Sequence, residues 1–290
     1  MKQLITLVLI TLILAACGAE SQGKSDETDK AEQTEVEETN ASGSGEEKEA
    51  SEQEKEETEA QDEEAIEEEA TTEQDESEVP AEPQYQLTGN WSFEPINDAN
   101  PEVALLTFDD APDEYAVEMA KKLKEMNAPA IFFVNGHFID TEEEKEKLKQ
   151  IHDMGFEIGN HTNSHASLPD LTKEEQREEI VGLNDKIEAV IGERPKFFRA
   201  PFGQNTDYSK QLAQEEKMLV MNWTYGYDWN KEYMDADAIA DIMVNTNLLN
   251  NGANLLMHDR EWTYKGLSEI VEGLRNKGYE LLDPKLIKTP

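Results

Sequence analysis

Cysteine is all but missing from this chain: there is one in 290 residues, Cys17. No internal disulfide can form, so stability has to come from a hydrophobic core. Positive charge is scarce as well, with 26 Lys and Arg against 65 Asp and Glu and a formal net charge of −39. No basic patch survives to neutralise phosphates, so nucleic acid is excluded as an expected partner. Long apolar runs are absent too. The longest, Leu4 to Leu14, is too short to span a bilayer comfortably and has the shape of an export signal.

What is present falls into three parts. Residues 1–17 carry Lys2, the apolar run and then Leu14-Ala15-Ala16-Cys17. Small residues just before a lone cysteine resemble the lipobox of bacterial lipoproteins. That resemblance implies cleavage ahead of Cys17, a lipid-bearing N-terminus, and a protein exported and anchored on the outer face of the cell membrane. An ordinary secretory signal beside a coincidental cysteine is the alternative. Residues 18–84 hold 27 Asp or Glu, 4 Lys and almost no large apolar side chain. Such a segment cannot bury enough surface to offset its ordering entropy and is expected to be a disordered acidic tether. As a flexible coil it would reach about 45 Å. Residues 85–290 form the third part, where aromatic and apolar residues return; no protein partner is evident in their composition. Trp91 and Phe93 are expected to pack the entry to this fold.

Within 85–290, strand-like and helix-like stretches alternate. The strand candidates are 103–108, 130–134, 156–160, 197–199, 218–223, 254–258 and 279–282. Between them lie helix-like stretches near 113–126, 142–153, 172–190, 207–216, 235–249 and 264–277. The third has Ile180, Leu183, Ile187 and Val190 at helical spacing, with Thr172 and Glu175 forming a capping box. Seven such alternations predict an α/β fold with a parallel sheet, open or rolled into a barrel. Met218, Met221, Met234, Met243 and Met257 read as core fillers.

Polar groups gather where the strand candidates end. The apolar run Val103–Phe108 stops at Asp109-Asp110, followed by Ala111-Pro112. Alternation puts Thr107 and Asp109 on one face and Asp110 on the other. Both acids can serve one site only if the strand ends there and the chain turns, and Pro112 favours that. A helix cap by Asp110 or Asp113 is the competing reading. After 156–160 comes His161-Thr162-Asn163-Ser164-His165, two histidines four apart. With a carboxylate from elsewhere they make a two-histidine, one-carboxylate set suited to Zn²⁺ and related metals; incidental spacing is the alternative. Arg199-Ala200-Pro201-Phe202-Gly203, Tyr227-Asp228-Trp229 and Leu255-Leu256-Met257-His258-Asp259 follow later strands. Taken singly, Arg199 reads as a structural ion pair, Asp228 as a cap and His258 as a satisfied strand-end histidine.

In this order the five segments resemble the motifs of NodB-type polysaccharide deacetylases, carbohydrate esterase family 4, over roughly residues 100–285. The resemblance implies a distorted (β/α) barrel of about seven parallel strands. It implies that Asp110, His161 and His165 hold a divalent metal, Zn²⁺ foremost, with Co²⁺, Ni²⁺ or Mn²⁺ as other candidates. Asp109 would be the general base, oriented by Arg199. His258 would protonate the leaving amine, supported by Asp228. The backbone N–H of Phe202 would help stabilise the oxyanion, and Trp229 and Leu256 would shape a pocket for the acetyl methyl. The implied substrate is N-acetylated cell-surface polysaccharide, peptidoglycan or chito-oligosaccharide in type, with acetate released. An O-acetyl glycan esterase of xylan type and a non-catalytic glycan-binding lipoprotein are the rival readings.

The chain departs from the family pattern at Ala111, where glycine is usual, and at Ala200 and Phe202, where proline and tyrosine are common. An ordinary negative φ is expected at Ala111. His137 and His152 match no motif; His152 is expected to be exposed on its helix, and Asn135-Gly136-His137 to form a turn. Arg260-Glu261-Trp262 reads either as a substrate-groove wall or as surface packing.

Overall fold

The structure is a computed structural model, which describes residues 82–290. Cys17, its signal-like surroundings and nearly all of the acidic stretch lie outside the described residues. Among those described, no helix is long and apolar enough to cross a membrane.

The chain enters through a short antiparallel hairpin, β1 (Tyr85–Leu87) and β2 (Phe93–Pro95). The first long strand is β3 (Val103–Ala111), followed by α1 (Ala116–Glu125), β4 (Ala130–Val134), α2 (Glu142–Asp153) and β5 (Glu157–Asn160). Next come α3 (Lys173–Arg177) and α4 (Leu183–Ile191), joined by a π-helical turn over Glu178–Gly182. Then follow β6 (Phe197–Phe198), α5 (Asp207–Glu215), β7 (Leu219–Val220), β8 (Tyr225–Gly226), α6 (Ala236–Asn245), β9 (Ala253–His258), α7 (Glu261–Asn276) and β10 (Glu280–Leu281). Seven strands hydrogen-bond in the order β7-β6-β5-β4-β3-β9-β8, and β10 adds to the start of β3. Every pairing in this sheet is parallel. The result is a curled half-barrel, as the alternation predicted.

Strand β3 lies centrally because its side chains are buried on both faces, the mark of a strand covered on both sides. Ala104, Leu106 and Phe108 pack with helix residues such as Met119, Leu123, Leu267 and Ile270. Val103 and Leu105 join Ile131, Phe133, Phe197 and Met221 on the other face, closed off by Tyr85 and Phe93 of the hairpin. Leu105, Leu106 and Phe108 are fully buried, and each such side chain contributes roughly 1.5–3 kcal/mol. The strand that carries the two acids is therefore among the hardest to displace.

Several expectations need correction. β8 and the hairpin have too few apolar residues to show a period, and neither was predicted. Trp91 is only half-buried, while Phe93 is buried. Met218, Met221, Met243 and Met257 are core residues, but Met234 is 44% exposed, because it follows a loop turn rather than a helix face. His152 is half-buried, its ring lying near Glu193. The Thr172–Glu175 capping box is present, yet the helix it starts is interrupted by the π turn.

Candidate active site and metal centre

Asp109 and Asp110 converge by a route the sequence did not show. The strand does not end at Asp109; it runs on to Ala111. Against β4, Phe108 pairs with Phe132 and Ala111 with Val134, so three steps on β3 match two on its neighbour. That extra residue makes a β-bulge, and within it Asp110 sits at a positive φ, +61°. Phe108 and Ala111 both pack on the helix side. The bulge thus breaks the alternation that would have sent the two acids to opposite faces. Ala111 keeps a negative φ, as expected, since the left-handed residue is Asp110; the Ala111–Pro112 bond is cis.

Neither acid caps α1. That helix has no side-chain cap of its own; instead the Asp259 carboxylate accepts hydrogen bonds from the backbone N–H groups of Asp113 (2.8 Å), Tyr115 (2.7 Å) and Ala116 (3.0 Å). Asp259 also donates its own N–H to the Asp109 carbonyl at 3.0 Å. The residue after His258 therefore braces the segment after Asp109 from both sides.

Asp109 is 2% exposed and Arg199 fully buried. Arg199 Nη1 donates to Asp109 Oδ1 at 2.6 Å and to Thr107 Oγ1 at 2.8 Å. Its Nη2 donates to the Asn222 carbonyl at 3.0 Å, and the guanidinium lies 4.2 Å from the Phe133 ring centre. A buried charge is tolerable only when so fully partnered. Asp109 Oδ2 remains, 3.5 Å from His161 Nε2.

The histidine loop is built by its neighbours. His161 Nδ1 sits 2.7 Å from the Arg199 carbonyl. Donating there fixes the tautomer and leaves the Nε2 lone pair facing the acids. Thr162 and His165 both have positive φ, +70° and +59°, a strained path that outside contacts must hold. Asn135 Nδ2 donates to the carbonyls of His161 and Thr162. Gly136 presses so close that a Cβ there would collide with Asn163. From the other side, Glu179 in the π turn accepts from Ser164 N (2.8 Å) and Ser164 Oγ (2.6 Å), and its carbonyl accepts from Asn163 N (3.0 Å). The next carbonyl, that of Ile180, accepts from Asn160 Nδ2 at 2.8 Å. A π turn frees carbonyls that an α-helix would use internally, and such turns gather at functional sites.

One donor atom each from Asp110, His161 and His165 lies within 4.8 Å of the others. Asp110 Oδ1 is 4.0 Å from His161 Nε2 and 3.7 Å from His165 Nε2. These gaps are too long for hydrogen bonds and of the order that two metal–ligand bonds span. Two neutral imidazoles and one carboxylate, with the second nitrogen of His161 already anchored, fit a divalent cation of the zinc type. Burial and then the adjacent His161 hold the His165 pKa below its ordinary value, which keeps the ring in its ligating form.

His258 faces this cluster from β9. Its backbone is paired in register with Asp109, and Leu256 is paired with Thr107 one level below. His258 Nδ1 lies 2.8 Å from Asp228 Oδ1, and its N–H donates to Asp228 Oδ2 at 2.6 Å. Asp228 is fully buried and also accepts from Thr263 Oγ1 at 2.8 Å. Burial alone would depress the His258 pKa, but the Asp228 hydrogen bond and charge, helped by Asp109 and Asp110, raise it above 6.5. Trp229 is 44% exposed with its ring edge-on to His258, and Leu256 is buried beneath. Phe202, in the left-handed region at φ +58° and 62% exposed, stands edge-on to His165.

Asp109, Asp110, His161, His165, Arg199, Phe202, Asp228, Trp229, Leu256 and His258 thus stand in this cluster or its rim. His137 is exposed on a 3-10 turn behind the histidine loop. The Arg260-Glu261-Trp262 segment is divided: Arg260 Nη2 donates to Asp110 Oδ2 at 2.8 Å and Trp262 Nε1 donates to the Asp228 carbonyl at 2.7 Å, whereas Glu261 pairs with Lys265 at the surface. Two of the three support the site rather than walling a groove. Thr107, Asn135, Glu179 and Asp259 were missed as supporting residues. Thr107 left a trace in its shared face with Asp109, and Asn135 and Asp259 fall in segments already singled out, though without this role; Glu179 left none.

The polysaccharide deacetylase family profile matches residues 96–221. A peptidoglycan-N-acetylglucosamine deacetylase of Bacillus cereus is 32% identical over 206 residues, 67% of this chain and 70% of that protein. The chain belongs to the polysaccharide deacetylase family. The solved structure of the peptidoglycan deacetylase PdaC from Bacillus subtilis is 30% identical, with a TM-score of 0.57 over 64% of this chain and 89% of that one. A bifunctional xylanase/xylan deacetylase of Cellvibrio japonicus is 29% identical, the match covering 60% of this chain and 26% of that protein. The profile stops before Asp228 and His258, so in this polysaccharide deacetylase their place in the site rests on the geometry above.

Proposed function

We propose that this protein is a metal-dependent N-deacetylase of N-acetylated envelope polysaccharide, with peptidoglycan the foremost substrate. The observation that carries the reading is the register pairing of Asp109 with His258 beside the Asp110, His161 and His165 cluster. It supports the reading because Asp109, the proposed base, and His258, the proposed acid, lie on neighbouring strands at one level, flanking one three-donor cradle.

Asp110, His161 and His165 would hold the cation, which supplies Lewis-acid polarisation of the acetyl carbonyl and a more acidic attacking water. Arg199 occupies Asp109 Oδ1 and leaves Oδ2 to take the proton from that water as its oxygen bonds to the carbonyl carbon. His258 donates Nδ1–H to Asp228, so Nε2 carries the proton passed to the sugar nitrogen as the C–N bond breaks. The products are acetate and the free amine. Asp228 holds the ring in place, and its hydrogen bond and charge outweigh burial and favour the protonated ring. Leu256 and Trp229 border the space beside His258 with apolar surface suited to a methyl group.

We further propose that Cys17 carries a lipid anchor and that the acidic residues after it space the domain from the membrane. Support for this comes from the sequence pattern at 1–84. An O-acetyl ester substrate is the second reading, favoured by the similarity to a xylan deacetylase. The deciding experiment supplies purified protein and Zn²⁺ or Co²⁺ with defined chito-oligosaccharides, muropeptides and acetylated xylan, and follows acetate release with a chelator control. Release from the acetamides that stops with chelator and with Asp109→Asn is the expected result. Release from xylan alone would move the assignment to the ester, and release from none would overturn both.

A further inference from the structure

We propose that Arg260 is a positioning residue for the metal ligand Asp110, fixing that carboxylate as a ligand through one oxygen. The inference rests on the reading of Asp110, His161 and His165 as the metal-holding set. Each oxygen of Asp110 has a separate partner: Oδ1 faces the two histidines, at 4.0 and 3.7 Å, and Oδ2 accepts from Arg260 Nη2 at 2.8 Å. With Oδ2 engaged, the carboxylate cannot turn to present both oxygens to one cation. Charge-assisted hydrogen bonds to an arginine are among the stronger orienting contacts available.

Arg260 can do this because it is itself held. Its other terminal nitrogen, Nη1, donates to the Asp259 carbonyl at 2.9 Å and lies 4.0 Å from Asp113 Oδ2. Its backbone carbonyl accepts from Tyr264 N at 2.9 Å at the start of α7. Asp259, one residue back, is tied to the backbone of residues 109, 113, 115 and 116. The guanidinium therefore stands on the same platform that braces the bulge. Asp110 needs such a partner: its backbone sits at φ +61°, in a bulge that departs from the regular alternation of β3. The guanidinium charge also opposes a nearby cation, so any gain in affinity from Arg260 must come through orientation.

The test measures Zn²⁺ affinity by chelator competition and records the visible spectrum of the Co²⁺ form, which reports the number and arrangement of ligands. Arg260→Ala is expected to weaken Zn²⁺ binding about 10-fold, as loss of an outer partner of a ligand does, and to change the Co²⁺ spectrum as Asp110 becomes free to bind through both oxygens. Arg260→Lys, which can still reach Oδ2 with an N–H, is expected to recover most of the affinity and the wild-type spectrum. Arg260→Met keeps the aliphatic stem without donors and serves in place of the alanine variant if that one folds poorly. Unchanged or tighter Zn²⁺ binding by Arg260→Ala, with an unchanged Co²⁺ spectrum, overturns the role. Asp110→Ala run alongside separates the two ideas: if it too binds metal like the wild type, the ligand assignment falls, and with it the inference.

Discussion

Two aspartates stand side by side on β3, each bound through one oxygen by an arginine, and the two pairs differ in burial. Arg199 and Asp109 lie at 0% and 3% side-chain exposure, 2.6 Å apart; Arg260 and Asp110 lie at 38% and 16%, 2.8 Å apart. The same device serves two ends. In the buried pair water cannot replace a lost partner, so the pair must be complete for the fold to hold. In the open pair water can take over, so its worth lies in direction rather than stability. Each arginine leaves the remaining oxygen of its aspartate pointing at His161, which is how two adjacent carboxylates come to address one centre.

Breaking the buried pair should give the largest effect. Arg199→Ala leaves Asp109 charged in a dry site and strips Thr107 of a donor. A loss of about 3–5 kcal/mol in stability is expected, read by urea unfolding of the metal-free protein. A loss below ~1 kcal/mol, the size of a surface pair, would erase the contrast with Arg260. Next comes the acid itself. Asp109→Asn keeps the shape and a partner for Arg199 but cannot accept the proton, so kcat should fall by about 10²–10⁴ while Zn²⁺ affinity stays close to that of the wild type. Loss of metal together with turnover would show that the two acids do not have separate tasks.

How much of this was legible beforehand differs along the same line. The alternation of strands and helices follows from apolar runs and helix spacing, because burial on both faces of β3 and the stripes of the helices are properties of composition at fixed period. Asp109, His161, Arg199 and His258 were visible because each follows a recognisable run. The bulge was not. Alternation alone placed Asp110 on the wrong face, and one inserted residue, seen only against β4, reverses that. Glu179 and Asp259 were hidden for another reason. Their contacts reach across 15 and about 145 residues, and a single carboxylate in an acidic chain gives no sign of which backbone groups it will meet.

A third pair sharpens the contrast through pH. Asp228 is fully buried while His258 is partly open at its tip, so this pair sits between the other two. A histidine acting as an acid works only while protonated, so activity should decline as pH rises through the His258 pKa, which is held above 6.5. In Asp228→Asn the burial that depresses His258 remains and the opposing charge is gone. The alkaline limb of the kcat–pH profile should then move to lower pH, with activity at pH 8 reduced more than at pH 6. A limb that stays in place would mean another group sets it.

The smallest effect should come from a carboxylate that touches no reacting group. Glu179 is half-buried and holds no buried charge in place, so its removal should cost the fold little, yet it fastens Ser164, next to His165, by two hydrogen bonds. The loop it fastens runs through positive φ at Thr162 and His165, a path of low intrinsic preference. Asn163 would still be tied to the Glu179 carbonyl, and Asn160 to that of Ile180, because backbone groups survive the substitution. Glu179→Ala should therefore loosen only the His165 half of the loop. Zn²⁺ affinity should fall by no more than about 10-fold, the lower bound for an outer partner, with the unfolding midpoint of the metal-free protein nearly unchanged. Glu179→Gln, which keeps an acceptor for Ser164, should lose less. A drop in stability as large as that of Arg199→Ala would place Glu179 with the buried pair and remove the distinction between residues that hold the fold and residues that aim the ligands.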